Sequence, residues 1–199
     1  MAEEEDKYYV VQHLNFGFFN KIKNLQSDLT DTYKCYVETD ASGARTVHSL
    51  APHFKEVHSV QLDANIKKIL VEKQISDKIK YYSNSGSSLS ALRTICKNVS
   101  HDPCFYLNYN NYSKDHDCLI QDYVSSISSN CKKQCIIIVD SFGLIDSCFK
   151  VSDDVNYYSE LRKKIEERSG SRLTNSYTVD STMNESRYRL VLHLKKKGE

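Results

Sequence analysis

The chain has 199 residues, and its 27 basic and 26 acidic side chains give a net charge of +1. This length fits one ordinary domain with a short extra arm, and a hydrophobic content of 40% argues against global disorder. The near-neutral charge argues against a strongly basic nucleic-acid-binding protein, although it leaves room for a local basic patch.

The first residues do not resemble a secretion signal. The stretch MAEEEDKYYVV carries acidic residues where a signal peptide is positively charged, and no apolar run is long enough to span a bilayer. We therefore expect a protein of the cytosol or the nucleus. In either compartment its seven cysteines should remain reduced.

Residues 1–59 are predicted to form an N-terminal arm. The near-helical spacing of apolar residues within 16–31 predicts one helix. Residues 33–38 alternate loosely like a strand, and DASGA at 40–44 is a turn signal. The predicted helix carries Phe16, Phe18, Phe19 and Ile22. These side chains either pack on the core or form a docking surface for a partner.

Residues 60–199 alternate between predicted helices and predicted strands. Helices are predicted at 62–73, 89–99, 115–129 and 154–168, and strands at 78–83, 104–109, 135–139, 176–179 and 188–194. The strand at 135–139 (CIIIV) is a continuous apolar run. This order predicts an α/β fold in which residues 60–199 form a core with a mostly parallel central sheet flanked by helices.

Polar residues follow several of the predicted strands, at the edge where open α/β sheets bind ligands. Gly86 and Ser88 lie in a strand–helix loop and match two positions of the phosphate-binding pattern G-x-x-x-x-G-K-[ST], but Ser87 replaces its lysine. Asp140 and Ser141 follow the apolar strand. Asp140 either caps the segment after that strand or holds a metal ion there.

Three segments, taken in order, resemble the RecA/RadA recombinase family. Residues 70–95 resemble the entry to its nucleotide site, FYLNYNN at 105–111 the strand that leads to its catalytic glutamate, and CIIIVDS at 135–141 its Walker B strand. The resemblance implies a RecA-like core. It also implies lost ATPase chemistry, because Asn110 stands in the place of the glutamate and an amide cannot act as a general base.

This resemblance implies a non-catalytic accessory subunit of the recombinase-paralogue type, as in Shu-type complexes and, more closely, the RIP-like subunits of nematode RFS–RIP complexes. Such a subunit would pair with an ATP-competent paralogue and remodel recombinase filaments on single-stranded DNA in homologous recombination. No enzyme activity and no cofactor are expected, beyond weak ATP and Mg²⁺ binding at Gly86, Ser88, Asp140 and Ser141 if a partner subunit shares the site. The alternative within the fold is a RecA-like subunit of an Elongator-type tRNA-modification complex.

Basic side chains cluster toward the end of the sequence. A charge run is usually a solvated surface, but together with nearby tyrosines these side chains could line a groove for DNA phosphates. The candidates for DNA binding are Lys163, Lys164, Arg168, Arg172, Lys195, Lys196 and Lys197.

Cysteine and histidine residues raise an alternative from a different class, a zinc- or thiol-dependent enzyme. Cys96, His101 and Cys104 are close in sequence, and Cys131 and Cys135 form a C-x₃-C pair. Zinc sites normally use four ligands from paired motifs, and free cysteines are commonly buried. We therefore predict buried reduced thiols and no metal site.

Overall fold

The computed structural model describes residues 32–39, 46–47, 50–60, 78–82, 88–107, 119–140, 157–168, 171–179 and 189–196. In these ranges the strands are β1 (Cys35–Thr39), β2 (Glu56–Val60), β3 (Ile79–Tyr82), β4 (Pro103–Leu107), β5 (Cys135–Val139), β6 (Ser171–Val179) and β7 (Arg189–Lys196). The α-helices are α1 (Ser88–Asn98), α2 (Leu119–Asn130) and α3 (Tyr157–Arg168), and a short 3-10 helix (Ala51–His53) precedes β2. No helix in the described ranges is long and apolar enough to cross a membrane.

The strands form one seven-stranded sheet in the order β3-β2-β1-β4-β5-β7-β6. The first five strands in this order are parallel, and β7 pairs antiparallel with both β5 and β6. The α/β fold with a mostly parallel sheet and flanking helices is therefore confirmed.

The strand order reverses direction between β1 and β4. From β1 the chain adds β2 and then β3 on one side, and it then returns to place β4 on the other side of β1. In open α/β sheets the carboxyl ends of the two strands at such a reversal, here those of β1 and β4, border the crevice in which ligands bind.

Apolar side chains cover both faces of this sheet. On one face, Val37, Phe105 and Ile137 pack with residues of the three helices, among them Leu92 and Ile120. On the other face a second cluster joins Tyr36, Tyr106 and Ile138 to Leu50 and Phe54. Burial on both faces explains why β5 is apolar at every position, since alternate side chains point to opposite sides of a strand.

The sheet does not follow the predicted boundary at residue 59. Strand β1 and all of β2 except Val60 belong to the segment that was assigned to the N-terminal arm, yet β1 lies in the middle of the sheet. The sequences of β1 and β2 do not reveal that the two strands lie inside the sheet, because buried polar residues interrupt their apolar pattern. Among these residues are Glu38, Glu56 and His58. The predicted helices at 16–31 and 62–73 lie outside the described residues.

Candidate functional site

The candidate ligand crevice lies at the carboxyl ends of β1 and β4, the two strands that flank the switch point. Thr39 is the last residue of β1 and pairs with Leu107, the last residue of β4. The Thr39 side chain is fully buried, and its Oγ1 has no hydrogen-bond partner among the described residues. A buried hydroxyl without a partner is costly, so this atom marks a place where a polar group of a ligand would be stabilised.

A buried carboxyl group lies one residue earlier on β1. Glu38 is 2% exposed, and its two oxygens accept hydrogen bonds from Tyr36 Oη at 3.3 Å and Ser59 Oγ at 3.0 Å. Burial raises the pKa of Glu38 to about 8, and the two hydrogen bonds only partly offset this. Because Ser59 lies one residue before the end of β2, the carboxyl group links the ends of β1 and β2 beside the crevice.

Ser88 is the first residue of α1, the helix that follows β3. Its side chain is buried, and its Oγ has no hydrogen-bond partner in the described part of the chain. The helix therefore begins at the same edge of the sheet as the crevice and places a second unpaired hydroxyl there. Gly86 and Ser141 lie outside the described residues.

Asp140 follows β5 and forms a buried ion pair with β7. Arg189 Nε donates a hydrogen bond of 2.6 Å to Asp140 Oδ1, and the two side chains are 8% and 6% exposed. The backbone N–H of Asp140 also donates to the carbonyl oxygen of Leu107 at 3.0 Å. The carboxylate that follows the most apolar strand is thus neutralised by an arginine of the neighbouring strand.

The predicted DNA-binding residues occupy two places. Lys163 is exposed on α3, and Lys164 is half-buried and donates a hydrogen bond to Gln121 of α2. At the antiparallel edge Arg172 of β6 pairs in register with Lys195 of β7. DNA binding by these residues stays a prediction.

The structure describes the remaining DNA-binding and partner-binding candidates only in part. Lys196 is half-buried at the end of β7. The backbone of Arg168 ends α3, but its side chain and that of Arg172 are not described, and Lys197 lies outside the described residues. The proposed partner-binding side chains Phe16, Phe18, Phe19 and Ile22 also lie outside.

The cysteines that the structure describes are buried thiols. All five cysteines in the described ranges are buried and free of disulfides, namely Cys35, Cys96, Cys104, Cys131 and Cys135. Burial raises the pKa of Cys104, so its thiol stays protonated and unreactive near neutral pH.

Sequence reasoning did not single out Glu38, Thr39 or Ser59. One sequence feature could have pointed to these residues: the strand segment at 35–39 is followed directly by a turn signal of mostly small residues at 40–44. In dinucleotide-binding α/β folds the first strand and the turn after it approach the ligand. This signal was weak here, because the turn has one glycine, Gly43, rather than the G-x-G-x-x-G pattern.

The solved structures with a similar fold include several methyltransferases and a spermidine synthase. The chain is similar to the O-methyltransferase TomG from Streptomyces achromogenes, solved in complex with SAM (S-adenosylmethionine), with 15% identity, a TM-score of 0.56, and coverage of 87% of this chain and 78% of that one. It is similar to the proposed RNA methyltransferase PH1948 from Pyrococcus horikoshii, with 12% identity, a TM-score of 0.54, and coverage of 90% and 81%.

A third similar structure is the spermidine synthase of Thermotoga maritima, with 9% identity, a TM-score of 0.50, and coverage of 83% of this chain and 55% of that one. No family model matches the chain, and neither does any curated protein. At these identities the likeness establishes a Rossmann-like methyltransferase fold.

These findings correct the family assignment made from the sequence. The resemblance to RecA/RadA recombinases is wrong, because the similar structures have a methyltransferase fold. The Walker B assignment and the roles as a non-catalytic recombinase accessory subunit or pseudo-ATPase are wrong with it. The alternatives of an Elongator-type subunit and a zinc- or thiol-dependent enzyme have no support among the similar structures.

The physical reason for the error is that strand–helix alternation and an aspartate after an apolar strand are common to many α/β folds. In this chain Asp140 pairs with Arg189. The expectation that no cofactor binds conflicts with the SAM complex of TomG.

Proposed function

We propose that the chain is a methyltransferase that binds SAM in the crevice at the carboxyl ends of β1 and β4. The observation that carries this proposal is the strand order β3-β2-β1-β4-β5-β7-β6, whose reversal lies between β1 and β4. Nucleotide-type ligands of open α/β sheets bind at such a reversal. TomG, which has the same fold, was solved in complex with SAM.

The residues at this edge fit a polar nucleoside ligand. Thr39 Oγ1 and Ser88 Oγ are buried hydroxyls without hydrogen-bond partners in the described ranges, and such atoms gain most from a ligand that donates or accepts a hydrogen bond. We assign to Thr39 a direct role in holding the ligand. Ser88 is assigned a contact from the start of α1.

Glu38 acts as a positioning residue in this proposal. Its carboxyl group joins Tyr36 of β1 to Ser59 of β2 and thereby holds the end of β1 against β2. Because the pKa of Glu38 is raised to about 8, the group is mostly neutral at pH 7. A neutral carboxyl group gives the crevice hydrogen-bonding capacity without a buried negative charge.

The bound SAM would supply an electrophilic methyl group on a sulfonium centre. What the chain itself contributes is binding and orientation, because holding two reactants in line lowers the entropic part of the barrier. Exclusion of water by the apolar residues beneath the crevice strengthens each polar contact with the ligand. Among these residues are Val37 and Leu107, both fully buried.

The proposal is tested by isothermal titration calorimetry of the purified chain with SAM and with S-adenosylhomocysteine. We expect one saturable site per chain for each ligand. Thr39→Val should weaken SAM binding about tenfold, since one hydrogen bond is worth about 1.4 kcal/mol. Ser126→Ala is the matched control, because Ser126 Oγ is also buried and unpaired in the described part of the chain but lies on α2.

Two results would overturn the proposal. One is the absence of saturable binding of either ligand to a folded chain. The other is equal weakening by Thr39→Val and Ser126→Ala, which would show that the loss reflects general destabilisation rather than a contact in the crevice.

A further inference from the structure

Three side chains with metal-binding atoms meet at the amino ends of β1 and β2. Cys35 begins β1, Glu56 begins β2, and His58 follows two residues later on the same face of β2. Cys35 and Glu56 are register partners across the two parallel strands. One ligand atom from each residue lies within 4.8 Å of the other two, and all three residues are buried. We call these three residues the amino-edge cluster.

We propose that the amino-edge cluster binds one Zn²⁺ ion. A thiolate, an imidazole and a carboxylate form a mixed donor set that suits Zn²⁺, whereas Mg²⁺ and Ca²⁺ prefer oxygen ligands alone. His58 Nε2 lies 3.0 Å from Glu56 Oε1. Two such donors on a tetrahedral zinc ion are separated by about 3.3 Å, so the pair needs to open by only a few tenths of an ångström.

Outer contacts already orient two of the three ligands. Tyr82 Oη lies 3.0 Å from His58 Nδ1, and the two rings are stacked with centroids 5.7 Å apart. The backbone N–H of Ser100 donates to Glu56 Oε2 at 3.0 Å, which leaves Oε1 directed at His58. Metal-bound histidines nearly always use their second ring nitrogen in such a contact, and this contact fixes which nitrogen faces the metal.

Tyr82 suits both the metal-free and the metal-bound form. Without metal, His58 Nε2–H donates to Glu56, and Nδ1 accepts a hydrogen bond from the Tyr82 hydroxyl. With metal on Nε2, the proton lies on Nδ1 and is donated to the same hydroxyl oxygen, because a phenol can both donate and accept. The ring can therefore change its tautomer without losing its partner.

A cation already occupies the outer side of the cluster. Lys80 Nζ lies 3.2 Å from Glu56 Oε1, but the Lys80 side chain is 63% exposed and can turn into solvent when a metal ion replaces its charge. His101 Nδ1 lies 3.6 Å from Glu56 Oε2 and has no hydrogen-bond partner in the described ranges. The fourth position on the zinc ion is left for this ring or for water.

The position of the cluster indicates a structural role. Strands β1, β2 and β4 are parallel, so their amino ends share the edge opposite the proposed SAM crevice. A zinc ion there would tie β1 to β2 and to the segment at Ser100 and His101 that precedes β4. This inference does not depend on methyl transfer, and it differs from the zinc-enzyme alternative because no reaction is assigned to the metal.

The test is a Co²⁺ titration of the full chain after removal of bound metals with a chelator. Tetrahedral Co²⁺ with a thiolate ligand gives visible d–d bands and a near-ultraviolet charge-transfer band, and Zn²⁺ should abolish both. We expect one Co²⁺ per chain. Cys35→Ser should remove the charge-transfer band, whereas Cys104→Ser should leave it unchanged, because Cys104 is equally buried but belongs to the cluster on the other face of the sheet.

Tyr82→Phe provides a milder variant in case Cys35→Ser does not fold. It keeps the half-buried ring and removes only the hydroxyl, and we expect Co²⁺ affinity to fall roughly 10–100-fold. The proposal is overturned if the wild-type chain gives no charge-transfer band. It is also overturned if the band disappears in Cys131→Ser but persists in Cys35→Ser, with the Co²⁺ affinity unchanged in Tyr82→Phe, because that result would place the metal at Cys131.

Discussion

Two buried glutamates on neighbouring strands have pKa values shifted in opposite directions. Burial raises the pKa of Glu38 to about 8, because its partners are neutral hydroxyl groups. Burial also opposes ionisation of Glu56, but hydrogen bonds from Ser100, His58 and Lys80 outweigh it and lower the pKa to about 2. The same side chain is thus neutral on one face of the sheet and charged on the other, according to its partners.

Glu38 should make the free energy of unfolding depend on pH between its ordinary pKa of 4.5 and its folded pKa of about 8. In this window the folded chain holds a proton that the unfolded chain has lost. The contribution of Glu38 is therefore fully present below pH 4.5, and it falls by up to about 1.4 kcal/mol per pH unit as the pH rises toward 8. Glu38→Gln should remove this decrease of the free energy of unfolding with rising pH.

Urea denaturation of wild type and Glu38→Gln at a series of pH values from about 6 to 9 measures this effect. The difference between the two proteins should grow in favour of the glutamine variant as the pH rises. Glu56 does not interfere, since its contribution is lost only as the pH falls toward about 2. Parallel stability curves for the two proteins would show that Glu38 is not protonated in the folded chain.

At the scale of elements, helix α1 shows what periodicity can predict. Its buried residues Leu92, Ile95 and Cys96 repeat at helical spacing, and the sequence places the helix at 89–99 against the observed Ser88–Asn98. Strand β5 was found from its continuous apolar run. By contrast, the sequence does not predict that β5 and β7 are neighbours. The ion pair beside them joins Asp140 to Arg189, which are 49 positions apart, and no local sequence pattern links two such residues.

Asp140→Ala should lower the free energy of unfolding by about 3–5 kcal/mol, because it removes the carboxylate that neutralises the buried Arg189 guanidinium. The double variant Asp140→Ala with Arg189→Met should recover much of this loss, since it removes the uncompensated charge as well. Chemical denaturation measures both changes.

The exposed pair of Arg162 and Glu166 on α3 is the matched control for this ion pair. Arg162→Ala should leave the free energy of unfolding nearly unchanged, because water screens an exposed i,i+4 pair. If Asp140→Ala costs no more than Arg162→Ala, the ion pair of Asp140 and Arg189 does not stabilise the contact between the end of β5 and β7.

At the scale of the whole molecule, the sequence predicted the fold class, but the family resemblance drawn from it was wrong. Alternation of helices and strands follows from local patterns, whereas the order of strands in a sheet follows from contacts between distant segments. The switch point between β1 and β4 was missed for this reason. It was also missed because β1 and β2 carry buried polar residues such as Glu38 and His58, which made the segment resemble a peripheral arm.

The candidate site was predicted less well than the fold. Asp140 was singled out as a possible metal-binding residue because it follows the most apolar strand, yet its carboxylate is neutralised by Arg189. Thr39 was not singled out, because a buried hydroxyl without a partner among the described residues results from three-dimensional packing and cannot be recognised in the sequence. The proposed nuclear or cytoplasmic location and the recombinase partner remain expectations from the sequence that the fold does not address.

The most direct test of the central claim is ultraviolet cross-linking of SAM carrying a tritiated methyl group to the purified chain, followed by peptide mapping. We predict that label appears in the peptides that contain the ends of β1 and β4, at Thr39 and Leu107 and the loops after them. Excess unlabelled S-adenosylhomocysteine should prevent this labelling. Label that resists such competition, or that is confined to peptides of β6 and β7, would contradict a SAM site at the switch point.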